Sequence, residues 1–196
     1  SVMVIEDTLK IHFNNDLLKP SITEEALLRT ISAWGRSVQE DISRLRIAIV
    51  GLGSVGSMVA ECLARTGFAR FVLIDFDRYE EKNRDRSMNV KRKHIGMLKV
   101  DVAGQAIKQN GTANRITVEK IPFSIYEESA FKAALNCDVV FSCVDRPHAR
   151  QILNFIAYAH LIPVIDGGIL VRTNKTNTRL VGADWKIQTV GYERPC

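Results

Sequence analysis

The 196-residue sequence holds no apolar run approaching the ~18 residues that a membrane span requires. Its longest apolar stretches, 46–51 and 138–144, have the length of strands. The first residues lack the basic-then-apolar layout of a secretory leader, so a cytoplasmic setting with no membrane partner is expected. Cysteine is scarce, and none of Cys62, Cys137, Cys143 and Cys196 forms a C-x-x-C pair, which argues against a complete metal knuckle or dithiol redox site. Cys62, Cys137 and Cys143 read instead as small apolar core residues in a reducing compartment. Charge of one sign is in little excess, with 27 basic against 22 acidic residues and a net charge of +5. Much of that surplus lies in 78–99, with Arg78, Lys82, Arg84, Arg86, Lys91, Arg92, Lys93 and Lys99. Aromatic residues do not alternate with these cations, Tyr79 apart, so stacking on single-stranded nucleic acid is poorly supported and a small polyanion fits better. Neither an internal repeat nor a low-complexity segment is present.

What is present is strand and helix in alternation. Before residue 46 the pattern is different. Leu9 to Phe13 alternates like a short strand, and Ser21-Ile22-Thr23-Glu24 reads as a capping box opening a helix with Ala26, Leu27, Ile31 and Trp34 on its apolar face. Gly35 interrupts that helix and 38–45 resumes it. Strands are then expected at 46–50, 71–74, 115–121, 138–143 and 163–166, with helices at 55–66, 96–109, 127–135 and 148–160 between them. Non-alternating, β-branched strands separated by helices predict an α/β fold: a Rossmann-like, doubly wound, mainly parallel sheet with helices on both faces, carrying an N-terminal helical or irregular extension. Residues 78–95 form an irregular stretch of about 18 residues, a length that within a compact domain is usually functional or disordered. After residue 173 the pattern lapses into more polar sequence.

The chemistry concentrates at the ends of these strands. Gly51-Leu52-Gly53-Ser54-Val55-Gly56 lies between a strand and a helix, the context in which a glycine-rich turn binds phosphate. Gly51 permits the tight turn, Gly53 the close approach of a phosphate, and Gly56 the packing of helix on strand. The helix start offers free N–H groups to an anion. Asp75 follows the second strand, where a carboxylate binds ribose hydroxyls, and Asp77 follows closely. A dinucleotide would fit up to this point. Asn83, Arg86 and Lys99 add cations and donors, which a triphosphate needs more than a dinucleotide pyrophosphate does. Asp145 ends the fourth strand of the series at the same sheet edge, where a carboxylate suits Mg²⁺. Taken singly, Arg86 and Lys99 also read as solvated charges, and Asp145 as the cap of the helix after it.

These residues together resemble the ThiF/MoeB superfamily, the ubiquitin-activating-enzyme-like adenylyltransferases. The resemblance spans about 29–196 and rests on the segment from Ile49 to Ser57, on Leu73-Ile74-Asp75-Phe76-Asp77, on Asn83-x-x-Arg86, on Gly96-x-x-Lys99 and on Asp145 with Arg150. It implies an ATP- and Mg²⁺-dependent enzyme that activates the C-terminal carboxylate of a ubiquitin-like or sulfur-carrier protein as an acyl adenylate, releasing pyrophosphate. It implies that Gly51, Gly53, Ser54 and Gly56 line the phosphate turn, that Asp75 and Asp77 serve the nucleotide, and that Asn83, Arg86 and Lys99 bind phosphates. Asp145 then holds Mg²⁺, and the chain is expected to form a homodimer in which Arg29 reaches the partner's phosphates. Arg146 stands where the family commonly has Asn, and Arg84 replaces a Leu. Cys196 matches the first cysteine of a zinc knuckle in relatives, a candidate ligand for structural Zn²⁺ in a longer chain. Residues 1–28 are read as an extension of unknown role, and 29–196 as an adenylation domain cut short at its C-terminus. A tRNA-modifying dehydratase or cyclase of the same superfamily is the alternative, with tRNA as partner. An NAD(P)-binding oxidoreductase and a non-catalytic nucleotide-binding scaffold are more distant readings.

Overall fold

The computed structural model describes residues 2–5, 9–14, 17–174, 176 and 178–194. Its frame is a six-stranded sheet in the order β5-β4-β3-β6-β7-β8. Strands β3 (Arg46–Val50), β4 (Arg70–Ile74), β5 (Thr117–Ile121), β6 (Val139–Ser142) and β7 (Val164–Thr173) pair in parallel with their neighbours. Strand β8 (Leu180–Val190) closes the edge antiparallel to β7.

Helices cover both faces, as the continuous apolar strands demand. On β3, Ile47 and Ile49 point to one side, packing in a cluster with Ala60 and Ala64 of α3 (Ser54–Arg65) and Val100, Ala103 and Ile107 of α4 (Lys99–Asn110). Ala48 and Val50 point to the other, with Ala130 and Ala134 of α5 (Glu128–Leu135) and Leu153 and Ile156 of α6 (Pro147–Ala159). The period-2 alternation of one fully buried strand thus feeds two cores.

The chain order reverses at β3. It runs outward through β4 to β5, then returns to place β6 on the other side of β3. A crevice opens at such a switch point, outside the carboxyl ends of the strands. The turn after β3 and the residues after β6 both reach it.

Several expectations are corrected. The short strand expected at 9–13 is present as β2 (Leu9–His12), but it is paired antiparallel with an unexpected β1 (Val2–Ile5), so the N-terminal part is more than helical and irregular chain. Helix α1 (Glu24–Trp34) starts two residues later than a capping box on Ser21 would place it, and its N-cap, Thr23, makes no side-chain cap bond. Ser21 Oγ instead accepts from the Arg115 backbone N–H at 2.8 Å, and the Thr23 hydroxyl bonds the Asn114 side chain at 2.5 Å, so both residues tie the N-terminal segment to the core. The expected boundary between 28 and 29 falls inside α1. Of its expected apolar face only Leu27 is fully buried, while Trp34 is 42 % exposed. Gly35 does separate α1 from α2 (Arg36–Arg44), with φ +91°, a conformation that suits glycine. Cys137 is buried and Cys143 half-buried, but Cys62 lies on the solvent side of α3 and is exposed. Helix α4 begins at Lys99, later than the expected residue 96, because Gly96 adopts a left-handed φ of +85° and its N–H bonds the Tyr79 carbonyl. The chain leaves the βα pattern late, as expected, but by a longer strand than the expected 163–166: β7 runs on to Thr173 and pairs antiparallel with β8 along nearly its whole length.

Candidate functional site

The glycine turn is shaped by contacts that leave no room for side chains. A Cβ on Gly51 would lie 2.7 Å from the Cys143 carbonyl oxygen, and one on Gly56 only 1.8 Å from the Gly51 carbonyl oxygen. Those two glycines lock the turn against β6 and set α3 on β3. Gly53 differs: among the described residues nothing lies within 4 Å of a Cβ built there, because it faces the crevice. No side-chain cap is present on α3 among the described residues, so its first-turn N–H groups are available to an anion.

Two residues hold the turn from behind. Asp75 Oδ2 accepts from the Leu52 N–H at 2.6 Å, and its Oδ1 accepts from the Asp77 N–H at 2.8 Å. Burial pushes the Asp75 carboxyl above its usual range, against the pull of those N–H groups and of Lys99. Tyr79, 2 % exposed, donates its hydroxyl to the Leu52 carbonyl at 3.3 Å, and burial raises its pKa to about 12.

The long connection from β4 to α4 is ordered. Its ends are laced together by Tyr79 N–H to the Met97 carbonyl and Lys99 N–H to the Asp77 carbonyl. Short 3₁₀ turns lie at Glu81–Asn83 and Arg92–His94. Asn83 accepts the Glu80 N–H on its side-chain oxygen at 2.9 Å, and Arg86 donates to the Lys82 carbonyl and to Asp85. Lys99 opens α4, where the positive helix end disfavours a cation. It is retained by carboxylates: its Nζ lies 2.6 Å from Asp77 and 3.9 Å from Asp75.

Asp145 follows β6 and is exposed to the crevice. It does not cap α6, whose N-cap is Arg146. Among the described residues its carboxylate has no hydrogen-bond or ion-pair partner, so its oxygens are open to a hard cation. Arg150 braces this edge, donating to the Val144 and Gly167 carbonyls at 3.1 and 3.2 Å.

The structure therefore brings Gly51, Gly53, Ser54, Asp75, Asp77, Asn83, Arg86, Lys99 and Asp145 to one crevice of about 1130 Å³, a volume ample for a nucleotide with part of a second reactant. Gly56 sits beneath it. Arg29 is on the exposed surface of α1 and outside this crevice. Cys196 lies outside the described residues; among those described, no group of three His, Cys, Asp or Glu side chains is placed to hold a metal. Sequence reasoning missed the aromatic wall of Phe76, Phe123 and Tyr126, and the contribution of Asp184, Trp185 and Lys186 from β8. The first group carries no spacing signal, and the second lies where the βα pattern lapses.

A doubly wound sheet with a glycine turn, cations and a carboxylate converging on its switch point defines a nucleotide-binding α/β domain. The match to the ThiF family runs over residues 26–189, and the chain belongs to that family. It is 30 % identical over 155 residues to ubiquitin-like modifier-activating enzyme 5 of Oryza sativa subsp. japonica, covering 71 % of this chain and 36 % of that protein. It is 28 % identical over 139 residues to tRNA threonylcarbamoyladenosine dehydratase of Escherichia coli, covering 71 % of this chain and 52 % of that one. The chain thus spans about a third to a half of the length of these curated relatives. The fold is shared with the crystal structure of E. coli MccB with ATP, at a TM-score of 0.67 and 22 % identity over 76 % of this chain and 48 % of that one. No helix among the described residues is long and apolar enough to cross a membrane.

Proposed function

We propose that this domain activates a carboxylate by adenylation, and that the carboxylate is the C-terminal glycine of a ubiquitin-like or sulfur-carrier protein. The observation that carries this reading is the joint placement of Lys99 and the unpartnered Asp145 on either side of the glycine turn. A dinucleotide asks for neither, whereas a triphosphate needs both positive charge and a metal ligand.

In this reading the first turn of α3 and Gly53 receive the phosphates, and Asp75 orients the ribose. Asn83, Arg86 and Lys99 bind the phosphate oxygens and stabilise charge that moves onto pyrophosphate as it leaves. The carrier's carboxylate oxygen bonds to the α-phosphorus, the bond from that phosphorus to the β-phosphate oxygen breaks, and pyrophosphate departs. The attacking group is already an anion, so no general base is required. Most of the rate enhancement comes from positioning and fixed charge. Asp145 is the residue that would hold Mg²⁺, which neutralises phosphate charge when bound. Arg29, exposed and remote from its own crevice, is assigned to the crevice of a second copy in a homodimer. The location is taken as cytoplasmic, and the chain from α1 onward as an adenylation domain.

The test is the mass of the carrier. After incubation with Mg-ATP, a ubiquitin-like protein should carry AMP on its C-terminus, and a version lacking its terminal glycine should not. Absence of the adduct across a panel of carriers would overturn the carrier assignment. A second reading has the similarity to the tRNA dehydratase in its favour, along with the exposed Lys91, Arg92 and Lys93. It predicts ATP consumption that depends on tRNA and weakens steeply with salt.

A further inference from the structure

The Asn83–Arg86 segment reaches the crevice on a long connection, and one buried acid fastens that connection to α3. Glu61 is only 6 % exposed, about two turns along the helix whose first turn forms the phosphate seat. Its Oε2 accepts the side-chain amides of Asn89 at 2.9 Å and of Asn110 at 3.0 Å. Its Oε1 accepts Arg65 Nε at 2.6 Å. One residue before Asn89, the Met88 N–H donates to Ser57 Oγ at 2.9 Å, and that hydroxyl in turn donates to the Ser54 carbonyl. Asn89 has φ +61°, a left-handed conformation that few residues other than Gly, Asn and Asp adopt readily. The connection is thus turned back at Asn89 and pinned to two successive turns of α3, three residues after Arg86.

We infer that Glu61 is a positioning residue, holding Asn83 and Arg86 in register with the N-terminus of α3 through Asn89. The inference rests on the nucleotide reading of the crevice, because Glu61 itself does not line it. Its chemistry fits the task. A carboxylate accepts from three donors at once, which a hydroxyl or amide in its place does not do. Burial alone would raise its pKa, but the Asn110, Arg65 and Asn89 donors outweigh that and lower it, so it stays ionised at neutral pH. The three donors are separable by role. Asn89 leads to the crevice, Asn110 ends α4 on the far side, and Arg65 is an exposed salt-bridge partner.

The experiment compares Asn89→Asp, Asn110→Ala, Glu61→Leu and Glu61→Gln in the intact chain, by two readouts. Asn89→Asp keeps size and backbone preference while setting a like charge against Glu61. The first readout is amide hydrogen exchange across residues 84–90 without nucleotide. It should rise in Asn89→Asp and Glu61→Leu, and stay close to wild type in Asn110→Ala and Glu61→Gln, whose oxygen still accepts both amides. The second is the dissociation constant for Mg-ATP, which should increase about 10- to 100-fold in Asn89→Asp and remain within about twofold in Asn110→Ala. Wild-type exchange over 84–90 in Asn89→Asp overturns the inference. So does an equal loss of ATP affinity in Asn110→Ala, which would mean that Glu61 only stabilises the fold. If wild type binds no ATP, the proposed function fails by itself, and the exchange readout alone decides whether the clamp exists.

Discussion

Lys99 Nζ lies 2.6 Å from Asp77 Oδ2, so the cation at the start of α4 is held beside the glycine turn by a carboxylate that is itself half exposed. A bound triphosphate would compete with Asp77 for that ammonium. Lys99→Ala should therefore lower ATP-dependent activity by at least about 10²-fold, the scale for losing one preorganised charge at a reacting centre. Asp77→Asn keeps the lysine and removes the nearer of the two carboxylates beside it, leaving Asp75 at 3.9 Å, so it should cost less than Lys99→Ala. Steady-state rates of pyrophosphate release check both, and an indifferent Lys99→Ala would remove Lys99 from the site.

Two glycines of the turn, Gly56 and Gly53, should fail in different ways. In Gly56→Ala the new methyl meets the Gly51 carbonyl oxygen, a backbone atom that cannot step aside, so a loss of about 3 kcal/mol or more is expected. In Gly53→Ala the methyl enters open space, and thermal stability should stay within about 0.5 kcal/mol of wild type. Nucleotide affinity should nevertheless fall in Gly53→Ala, because the methyl stands where a phosphate must approach. Thermal melts paired with ATP titrations separate the two.

Asp145→Asn tests the metal assignment. The substitution removes a charge without a partner to strand, so the apo fold should be unaffected. The Mg²⁺ concentration for half-maximal activity should rise about tenfold or more. An unchanged Mg²⁺ requirement would place the metal elsewhere.

Acid stability should report Glu61. Its pKa is lowered on folding, so it contributes stability that is complete above the ordinary value of 4.5 and lost as pH falls through the lowered folded value. Asp75 has the opposite sign: with its pKa raised, its ionisation costs stability as pH rises from 3.8 through the folded value. Glu61→Gln keeps the two amide bonds and loses the charged pair with Arg65, so it should lie below wild type by up to about 1 kcal/mol at pH 7 and converge with it in strong acid. Melting curves across pH 3–7 check the convergence, and a constant gap would contradict it.

The sheet was legible because buried parallel strands write themselves as unbroken apolar runs, 46–50 and 71–74 above all. The crevice was legible because Gly51, Gly53, Gly56 and Asp75 have fixed spacings from those strands. What escaped had no local code. The capping box at Ser21–Glu24 lost its serine and threonine to tertiary partners at Asn114 and Arg115, which no helix rule anticipates. Cys62 was assigned to the core by residue type, yet its place on α3 turns it to solvent. The second half of β7 and all of β8 were missed because an edge ribbon with exposed residues such as Ile169, Trp185 and Ile187 lacks the continuous apolar signature of a buried strand. Glu61 carries no sequence signal beyond its i, i+4 spacing from Arg65. Its contacts with Asn89 and Asn110 come from residues 28 and 49 positions away.

The central claim is that the crevice at Gly51–Gly56 seats Mg-ATP open to attack on its α-phosphate. Isotope exchange between pyrophosphate and ATP measures that step with no later chemistry required. Exchange that depends on a ubiquitin-like protein with an intact C-terminal glycine, and that collapses in Lys99→Ala and Asp145→Ala, is the predicted result. Exchange that is absent with every carrier and with tRNA, or that persists undiminished in both variants, would contradict it.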